Sequence, residues 1–383
     1  MTVQKIQVAI IGAGIGREHL AGYLALPDRY QVSILCDLDR SRAEEVAAGH
    51  TIDQAIGEAI DQAIDIETDF DQVLANETID LIDICLPPHL HFDAVIAALS
   101  AGKQVVCEKP LVTSLREADA IIEAAGQAKR SVFPVFQYRY GKAMTQLQSL
   151  IKAGIAGVPY VASLETHWNR GAEYYAVPWR GTWQGESGGA VLGHAIHSHD
   201  LLTTVFGPIQ SVFASTATRV NDIETEDCAS VLLQMQNGAV ATSSITLGAA
   251  SDTSRLRFCF EGLTAESGNS PYAPMTDCWS FIAREPRAQA DIDEVLSQIP
   301  DVWSGFSGFL ESVANSFDNR LDDNKPSAVE PSPVYSNQVV TLEQARHSIE
   351  LVSAIYHSAK TNSSVSLPLD RQHLYYDGWM PTR

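Results

Sequence analysis

Short apolar runs alternate with segments of helical spacing through the first third of the chain. The runs have the length of buried strands, and the segments between them have room for helices of about ten residues. Strands are expected at Val8–Ile11, Gln31–Cys36, Ile79–Leu86, Gln104–Cys107 and Val132–Val135. Helices are expected at Arg17–Leu26, Ser41–Ala48, His91–Ala101 and Ser114–Ala128, with room for another between His50 and Asp65. This order predicts a doubly wound, parallel α/β domain over residues 1–135.

The pattern changes over residues 136–383, where longer runs alternate apolar and polar positions, as strands with one buried face do. Such strands are expected at Val158–His167, Ser211–Thr218, Ala229–Met235, Ala239–Thr246 and Arg255–Phe260. Asn237-Gly238 marks a hairpin turn between two of them. Gly189–Val205 has the spacing of one helix, and the polar stretch Leu321–Asn337 is expected to be a surface loop. A second domain of the α+β class follows from these elements.

Composition says more about the possible partners of the protein than about its fold. The 383 residues suffice for two domains, and 26 Lys and Arg against 47 Asp and Glu give a net charge of -21. So acidic a chain repels nucleic acid and anionic lipid over most of its surface. Its ligand is therefore either neutral, or anionic and bound by local basic residues.

Neither a membrane span nor an export signal is apparent in the pattern. No apolar run approaches the roughly 20 residues that cross a bilayer, and the first residues lack the features of a signal peptide. The six cysteines form no C-x-x-C pair. Cys36, Cys85 and Cys107 belong to apolar runs, where a lone cysteine is typically buried and unreactive. We expect a cytoplasmic protein with reduced thiols and no zinc site.

A glycine-rich turn, Gly12-Ala13-Gly14-Ile15-Gly16, joins the first strand to the first helix. Gly12 permits a tight turn, and Gly14 lets the backbone approach a pyrophosphate, which the free N–H groups of the helix can bind. Asp37 ends the second strand, where an acidic residue accepts the ribose hydroxyls of NAD. The three features together predict a dinucleotide site.

The glycine motif departs from its usual form at one position. Arg17 stands where a third glycine is usual, and Gly16 stands one place early. Close packing of the helix on the strand must therefore be achieved differently. Arg40 and Arg42 follow Asp37 and could tolerate a 2′-phosphate, so NADP stays possible, although the acidic residue favours NAD.

Two further segments carry a specific resemblance. Asp83–His91 (Asp-Ile-Cys-Leu-Pro-Pro-His-Leu-His) and Val106–Leu111 (Val-Cys-Glu-Lys-Pro-Leu), with Gly12–His19, resemble the glucose–fructose oxidoreductase/inositol dehydrogenase family, Gfo/Idh/MocA. Gln137–Tyr140 and Gly188–Leu202 resemble further segments of the family, and so does Val365–Leu369 near the end of the chain. The likeness is strong from Val8 to about Gly207 and looser beyond. The resemblance implies an N-terminal Rossmann domain and a C-terminal α+β domain with a large, mostly antiparallel sheet. A broad open sheet favours a homodimer or homotetramer formed through that sheet.

The motifs of this family also imply which residues contact the cofactor and which one reacts. Lys109 of the Glu-Lys-Pro triplet follows the fifth strand, at the carboxyl edge where open α/β sheets bind ligands. A lysine there suits proton exchange with a reacting hydroxyl, and the alternative is a surface lysine in contact with Glu108. The implied cofactor contacts are Gly12, Gly14, Ile15, Gly16, Asp37, Leu86, Pro87, His91, Glu108, Lys109 and Gln137.

His197 is the second candidate catalytic residue, because a histidine can take the hydroxyl proton as a hydride leaves. On one helix, His194, His197 and Asp200 share a face, so that Asp200 could fix the tautomer of His197. The family's usual aspartate, four residues before this histidine, is Gly193 here. His194 beside it either replaces that carboxylate or shapes a different pocket.

A metal site is the rival interpretation of the histidine segment. His194, His197, His199 and Asp200 are residue types that bind metals. However, His199 points away from the shared face, and hydride transfer to NAD needs no metal. We therefore expect no metal.

Aromatic and basic residues precede the histidine segment. Aromatic faces suit the C–H faces of a polyhydroxylated ring, and Arg and Asn suit its hydroxyls. Arg180 could instead bind a substrate carboxylate through two hydrogen bonds, and the tryptophans could simply pack over the sheet. The candidate substrate-binding residues are Arg139, His167, Asn169, Arg170, Trp179, Arg180, His194 and His197.

Three functions compete on this sequence. The favoured one is an NAD-dependent dehydrogenase that transfers a hydride between nicotinamide and a hydroxyl carbon of a sugar, sugar derivative or cyclitol. The second is an NAD-dependent glycosidase on the same fold. The third is a non-catalytic NAD-binding sensor or regulator, which would have no need of Lys109 beside His197.

Overall fold

The computed structural model describes residues 5–52, 63–321 and 339–380. Its first sheet has six parallel strands in the order β3-β2-β1-β4-β5-β6. The strands are β1 Ile6–Ile11, β2 Tyr30–Cys36, β3 Asp65–Glu67, β4 Leu81–Ile84, β5 Gln104–Cys107 and β6 Val132–Pro134. The helices are α1 Gly16–Leu24, α2 Arg40–Ile52, α3 Phe70–Ala75, α4 His91–Ser100 and α5 Leu115–Ala128. The predicted doubly wound Rossmann fold is confirmed.

Details of this domain differ from the sequence pattern. The short elements β3 and α3 are only partly buried, so they lack a clear apolar pattern. β4 ends at Ile84 rather than Leu86, because Pro87 and Pro88 have no N–H with which to continue the ladder. The possible helix between residues 50 and 65 and the loop 321–337 fall mainly on residues 53–62 and 322–338, outside the described residues.

The second sheet has eight strands in the order β13-β12-β11-β7-β10-β9-β8-β14, and only the β7–β10 pair is parallel. The strands are β7 Pro159–Asn169, β8 Ile209–Ala217, β9 Cys228–Met235, β10 Val240–Thr246, β11 Gly248–Phe260, β12 Leu263–Glu266, β13 Ser280–Ala283 and β14 Val365–Ser366. The helices are α6 Lys142–Lys152, α7 Trp183–Glu186, α8 Ala190–Gly193, α9 Ile196–Phe206, α10 Gln289–Ser297, α11 Gly305–Leu321 and α12 Leu342–Thr361. The predicted, mostly antiparallel sheet is confirmed.

The hairpin predicted at Asn237-Gly238 is present between β9 and β10. Gly238 has a φ of 91°, a left-handed conformation that glycine adopts without strain. Met235 donates its N–H to Ala239 across the turn at 2.8 Å. The turn therefore fixes the register of the two strands.

One face of the second sheet is covered and the other is open. α9 packs on β7 and α12 packs on β8. On the opposite face, Val161, Phe213, Leu232 and Val240 are all at least 38% exposed. Apolar side chains so exposed on adjacent strands are typical of a surface that another chain covers.

The chain returns to the first domain near its C-terminal end. Phe309, Leu310 and other α11 residues belong to the same buried core as β1 and β2. Tyr30 donates its hydroxyl to the Leu310 carbonyl at 2.6 Å, and a Cβ on Gly22 would lie 3.2 Å from the Leu310 side chain. The boundary after residue 135 stays a prediction, but the first core includes this later helix.

Two expectations from the sequence concern membrane-spanning helices and the cysteines. No helix within the described ranges is long and apolar enough to cross a membrane. All six cysteines are unpaired, and Cys36, Cys85 and Cys107 are buried. The three predicted strand cysteines are thus part of the core.

We predict that Leu310→Ala lowers the free energy of unfolding by about 2–5 kcal/mol, because it leaves a cavity in the core of the nucleotide domain. Urea unfolding followed by fluorescence measures the change. Leu374→Ala, at a side chain that is 71% exposed, is the control and should be neutral. A loss below about 1 kcal/mol for Leu310→Ala would show that α11 is not part of this core.

Candidate active site

The glycine turn lies between β1 and α1, at the carboxyl edge of the first sheet. Gly12 has a φ of +102°, and a Cβ there would lie 2.6 Å from the Cys85 carbonyl oxygen, so only glycine fits. A Cβ on Gly16 would lie 2.9 Å from the Ile10 side chain. Gly16 therefore provides the close helix–strand packing that a third glycine usually provides, while Arg17 is exposed.

These residues fit a bound NAD. A Cβ on Gly14 would meet nothing within 4 Å, which leaves the backbone open to a pyrophosphate. Asp37 accepts the Ala13 N–H at 2.8 Å, so its carboxylate is held beside the turn, where it would accept ribose hydroxyls. Ile15 on the turn is 43% exposed. The Gln137 Oε1 atom is buried with no hydrogen-bond partner among the described residues, an orphaned acceptor that a ligand can satisfy.

Arg42 is the cation beside the Asp37 carboxylate, with Nη1 3.8 Å from Oδ2. It also approaches Asp39 at 3.7 Å, and its side chain is 53% exposed. Arg42 could therefore bind a 2′-phosphate only if it gave up its contacts with Asp37 and Asp39. This geometry favours NAD without removing NADP as a possibility.

A buried charge cluster lies beneath the turn, and sequence reasoning missed it. His19 of α1 contacts Asp83 of β4 through Nδ1 at 2.8 Å and Glu108 through Nε2 at 3.1 Å. Burial alone would lower the His19 pKa, but Asp83 raises it well above the usual value. Burial opposes ionisation of Glu108, yet its hydrogen bond with His19 lowers its pKa to about 2. We infer that His19 is an imidazolium held between the carboxylates of Asp83 and Glu108.

Two predicted cofactor contacts are corrected by this packing. Both Glu108 oxygens are bound inside the protein, one to His19 and one to the Lys109 N–H at 2.9 Å. His91 is fully buried, with its ring nitrogens 2.7 Å from the carbonyl oxygens of Pro110 and Leu86. These side chains therefore hold the turns that carry Lys109, Leu86 and Pro87 rather than face a cofactor.

Lys109 connects the two domains at the site. Its Nζ donates to the Gly193 carbonyl oxygen at 3.0 Å, although the residues are 84 positions apart. The lysine is not merely paired with Glu108 at the surface, because Glu108 is buried and its hydrogen bond with Lys109 is to the backbone N–H of that residue. The amine is therefore presented to the histidine segment.

The histidine segment is not the single helix that its spacing predicts. α8 ends at Gly193, His194 has φ −121° and ψ −51°, and α9 begins at Ile196. Glycine weakens a helix interior, and Lys109 takes the Gly193 carbonyl. His194 consequently does not share the α9 face of His197 and Asp200.

His194 and His197 are both buried neutral imidazoles near Lys109. Burial, then the charges of Lys109, Arg170 and Arg180, hold the His194 pKa well below its usual range. Burial and Lys109 lower the His197 pKa to about 3. The Nδ1 atom of each has no hydrogen-bond partner among the described residues. Tyr138, which the sequence did not single out, stacks on His197 with centroids 4.2 Å apart.

Asp200 and Arg139 do not have their predicted roles. The Asp200 oxygens accept from Arg139 Nε at 2.7 Å and Nη2 at 2.5 Å, and Arg139 also donates to Gln344 at 2.6 Å. The carboxylate is therefore committed to arginine rather than to His197. Arg139 is likewise committed, so it anchors α9 instead of binding substrate.

The metal interpretation also fails on these partners. His199 lies 3.0 Å from Ser243 of β10, while Asp200 binds Arg139, so the four candidate ligands do not converge. Within the described ranges, His19, Asp83 and Cys85 are the residues whose ligand atoms do lie within 4.8 Å of one another. Since both His19 nitrogens are engaged by carboxylates, that cluster is an ion network.

Strand alternation decides which residues of β7 face the site. Trp168 is buried with its ring 5.1 Å from His194, whereas His167 lies on the open face and contacts Ser244 at 3.0 Å. The predicted role of His167 is thus corrected, and Trp168 takes its place. Asn169 is exposed, and its N–H donates to Asp252 at 2.6 Å.

Two arginines and several rings complete the wall of the cleft. Arg170 pairs with Asp252 at 2.8 Å and lies 5.0 Å from the Trp168 ring and 5.3 Å from the Tyr174 ring. Arg180 lies 3.8 Å from the Tyr174 ring and 5.2 Å from the Trp179 ring. The predicted Arg170, Trp179 and Arg180 therefore belong to one cluster, joined by Tyr174 near His194.

Comparison with known proteins agrees with this geometry. Residues 6–136 match the oxidoreductase family with an NAD-binding Rossmann fold, and residues 144–265 match the GFO/IDH/MocA C-terminal domain. The chain belongs to the Gfo/Idh/MocA family. The matched N-terminal model is that of an oxidoreductase family with an NAD-binding Rossmann fold.

Individual relatives are distant. An uncharacterised oxidoreductase of Schizosaccharomyces pombe is 25% identical over 94% of this chain and 99% of its own length. Inositol 2-dehydrogenase of Rhodococcus erythropolis is 32% identical over 41% of this chain and 43% of its own. Several other curated relatives are matched over just under two thirds of their length, 66% for an uncharacterised oxidoreductase of Synechocystis.

A solved structure resembles the whole chain. The WlbA dehydrogenase of Bordetella pertussis, in complex with NADH and UDP-GlcNAcA, has a TM-score of 0.77 at 25% identity. The match covers 96% of this chain and 100% of that one. The likeness therefore includes both domains.

We predict that His19→Gln lowers the free energy of unfolding by about 3–5 kcal/mol near neutral pH, because it leaves two buried carboxylates without a counter-ion. The wild-type contribution of His19 is complete below the unfolded pKa of 6.5, and that of Glu108 is complete above 4.5. In the variant, burial favours a protonated carboxyl. The loss of unfolding free energy in His19→Gln should therefore become smaller as the pH falls from the upper of these two pKa values to the lower one.

Urea unfolding at both ends of that pH window measures the deficit. His347→Gln, at an exposed position of α12, is the matched control. Equal stability of His19→Gln and wild type at the upper end would contradict a charged imidazole in the cluster.

Proposed function

We propose that this oxidoreductase transfers a hydride between NAD and a hydroxyl-bearing carbon of a sugar, sugar derivative or cyclitol. The observation that carries the proposal is the contact of Lys109 Nζ with the Gly193 carbonyl at 3.0 Å. It brings an amine to two buried neutral imidazoles, His194 and His197. Such a group of donors and acceptors suits a reacting hydroxyl.

Oxidation removes a hydride from the carbon and a proton from its hydroxyl. NAD, when bound, supplies the hydride acceptor. With a pKa of about 3, His197 is better suited to accept a hydrogen bond from the hydroxyl than to store its proton. In the oxidation, Lys109 Nζ accepts this proton as the neutral amine, and in the reverse reduction its ammonium form returns the proton to the carbonyl oxygen. His197 orients the hydroxyl towards Lys109.

The substrate class is supported by the walls of the cleft and by the relatives. Trp168 and Tyr174 offer rings beside His194, and aromatic faces suit the C–H faces of a polyhydroxylated ring. One relative is an inositol 2-dehydrogenase, and one structural neighbour binds UDP-GlcNAcA. A regulator that only binds NAD would gain nothing from an amine held beside two neutral imidazoles.

We also propose that the open face of the second sheet joins copies of the chain into a homodimer or homotetramer. Phe213 of β8 pairs with Leu232 of β9, and both are exposed, at 38% and 57%. Burial of this apolar surface stabilises an assembly.

Lys109→Met should lower turnover by about 10²- to 10⁴-fold, the usual contribution of a positioned proton-transfer group. His197→Ala, which removes the residue that orients the hydroxyl, should lower turnover by about 10²-fold. NAD affinity should stay within about threefold, because the glycine turn and Asp37 hold the cofactor. Formation of NADH with a panel of aldoses, cyclitols and uronates measures turnover, and fluorescence titration measures NAD affinity. Lys142→Met, at a surface ion pair with Asp301, is the control.

Near-normal turnover of Lys109→Met would refute the dehydrogenase mechanism. Loss of NAD binding in that variant would instead assign Lys109 to cofactor retention. Both results differ from a selective loss of turnover.

Gly193→Asp should fold normally and change the order of preferred substrates. A Cβ at this position meets nothing within 4 Å, and aspartate is no worse than glycine in a helix. The added carboxylate would lie next to the carbonyl that receives Lys109, and would draw its amine away from a substrate hydroxyl.

Specificity constants across the substrate panel and the thermal midpoint of unfolding measure the two effects. Gly193→Ala separates the new carboxylate from the loss of glycine. An unchanged order of substrates in Gly193→Asp would show that position 193 does not face the reacting group.

A further inference from the structure

Three basic side chains lie near His194, although the protein carries a net charge of -21. Lys109, Arg170 and Arg180 are all close enough to His194 for their charges to lower its pKa. A cationic cleft in an acidic protein concentrates anionic ligands by focusing the local field. The positive charge is therefore local to this cleft, while the protein as a whole is negatively charged.

The acidic groups around the cleft are already committed. Asp252 is bound to Arg170 at 2.8 Å and to the hydroxyl of Tyr272. Glu108 is bound to His19. Glu186 accepts the Gly181 N–H at 2.5 Å, and its pKa is raised by burial. Arg170 thus has a carboxylate at ion-pair distance. Among the described residues Arg180 has none, and Glu186, the acid on whose pKa the Arg180 charge acts, is hydrogen-bonded to the Gly181 N–H instead.

Arg180 has no carboxylate within 4.0 Å among the described residues, and its Nε is buried without a hydrogen-bond partner. It is nevertheless held in place, since its guanidinium lies 3.8 Å from the Tyr174 ring. The same Tyr174 ring lies 6.0 Å from the His194 ring. A guanidinium that is held one aromatic ring away from His194, with no carboxylate at ion-pair distance among the described residues, is suited to bind a planar anion through two parallel hydrogen bonds.

We propose that the substrate of this enzyme is a sugar acid, whose carboxylate is bound by Arg180 while a ring hydroxyl lies at Lys109 and His197. This inference rests on the proposed dehydrogenase function and adds the group that selects the substrate. Arg170, fixed by Asp252 and three aromatic rings, supports the wall against which Tyr174 and Arg180 stack. A neutral sugar has no group that pairs with the Arg180 charge.

Calorimetric binding to the complex of the protein with NADH tests the proposal without turnover. The probes are D-glucuronate and D-glucose, which differ only in a carboxylate at C6, and D-glucose 6-phosphate, which carries a different anion there. Wild type should bind glucuronate about 10- to 100-fold more tightly than glucose, the value of hydrogen bonds to a charged group. Arg180→Gln should abolish that preference and leave glucose binding within about twofold.

Two further variants serve as controls. Arg180→Lys keeps the charge without the planar fork and should retain part of the preference. Arg371→Gln, at a side chain that is 81% exposed, should retain all of it. Circular dichroism establishes whether each variant is folded. If Arg180→Gln does not fold, the comparison with wild type is made with Arg180→Lys.

Three outcomes would overturn the proposal. Equal binding of glucuronate and glucose by wild type would show that no carboxylate is recognised. Tightest binding of glucose 6-phosphate would assign the cleft to phosphorylated sugars. A preference for glucuronate that survives Arg180→Gln would place the anion elsewhere.

Failure of the proposed function gives a different result. If no sugar is oxidised, but Lys109→Met and wild type both bind glucuronate through Arg180, the carboxylate site stands without the hydride transfer. If neutral sugars are oxidised at Lys109 with no preference for acids, the dehydrogenase stands and this inference fails.

Discussion

A buried imidazole between two carboxylates connects the parts of the nucleotide domain that matter for chemistry. His19 belongs to the helix that follows the glycine turn, Asp83 to the central strand β4, and Glu108 to the end of β5. Charges taken from water are stable only when paired and hydrogen-bonded. Because Glu108 also holds the Lys109 N–H, the same network that positions the glycine turn positions Lys109, the residue for which we propose the proton transfer.

From that anchored position, Lys109 reaches the second domain. Its bond to the Gly193 carbonyl lies where α8 and α9 are separated, and the pair Arg139–Asp200 holds α9 from the other side. Burial first, and then the charge of Lys109, lowers the pKa of both histidines. The proposed site thus combines an amine, two neutral imidazoles and a guanidinium that has no carboxylate at ion-pair distance among the described residues.

The local patterns of the sequence predict the fold and the residues at the carboxyl edge of the first sheet. Gly12, Gly14, Asp37 and Lys109 can be named from the sequence because each lies at a fixed place relative to a strand of that sheet. The His19 network was missed because its partners are 64 and 89 residues away. Spacing alone also assigned Asp200 to His197, whereas Arg139, 61 residues distant, takes that carboxylate. Strand alternation separated His167 from Trp168 but could not tell which of them faced the cleft.

Transfer of deuterium from substrate carbon to cofactor tests the central claim most directly. The protein would be incubated with NAD and sugars, cyclitols and sugar acids deuterated at their carbinol carbons, and the recovered nicotinamide analysed by mass spectrometry. The account predicts one deuterium in the reduced cofactor, formed about 10²- to 10⁴-fold more slowly by Lys109→Met. Reduced cofactor without deuterium, or labelling at an equal rate by Lys109→Met, would contradict direct hydride transfer at this site.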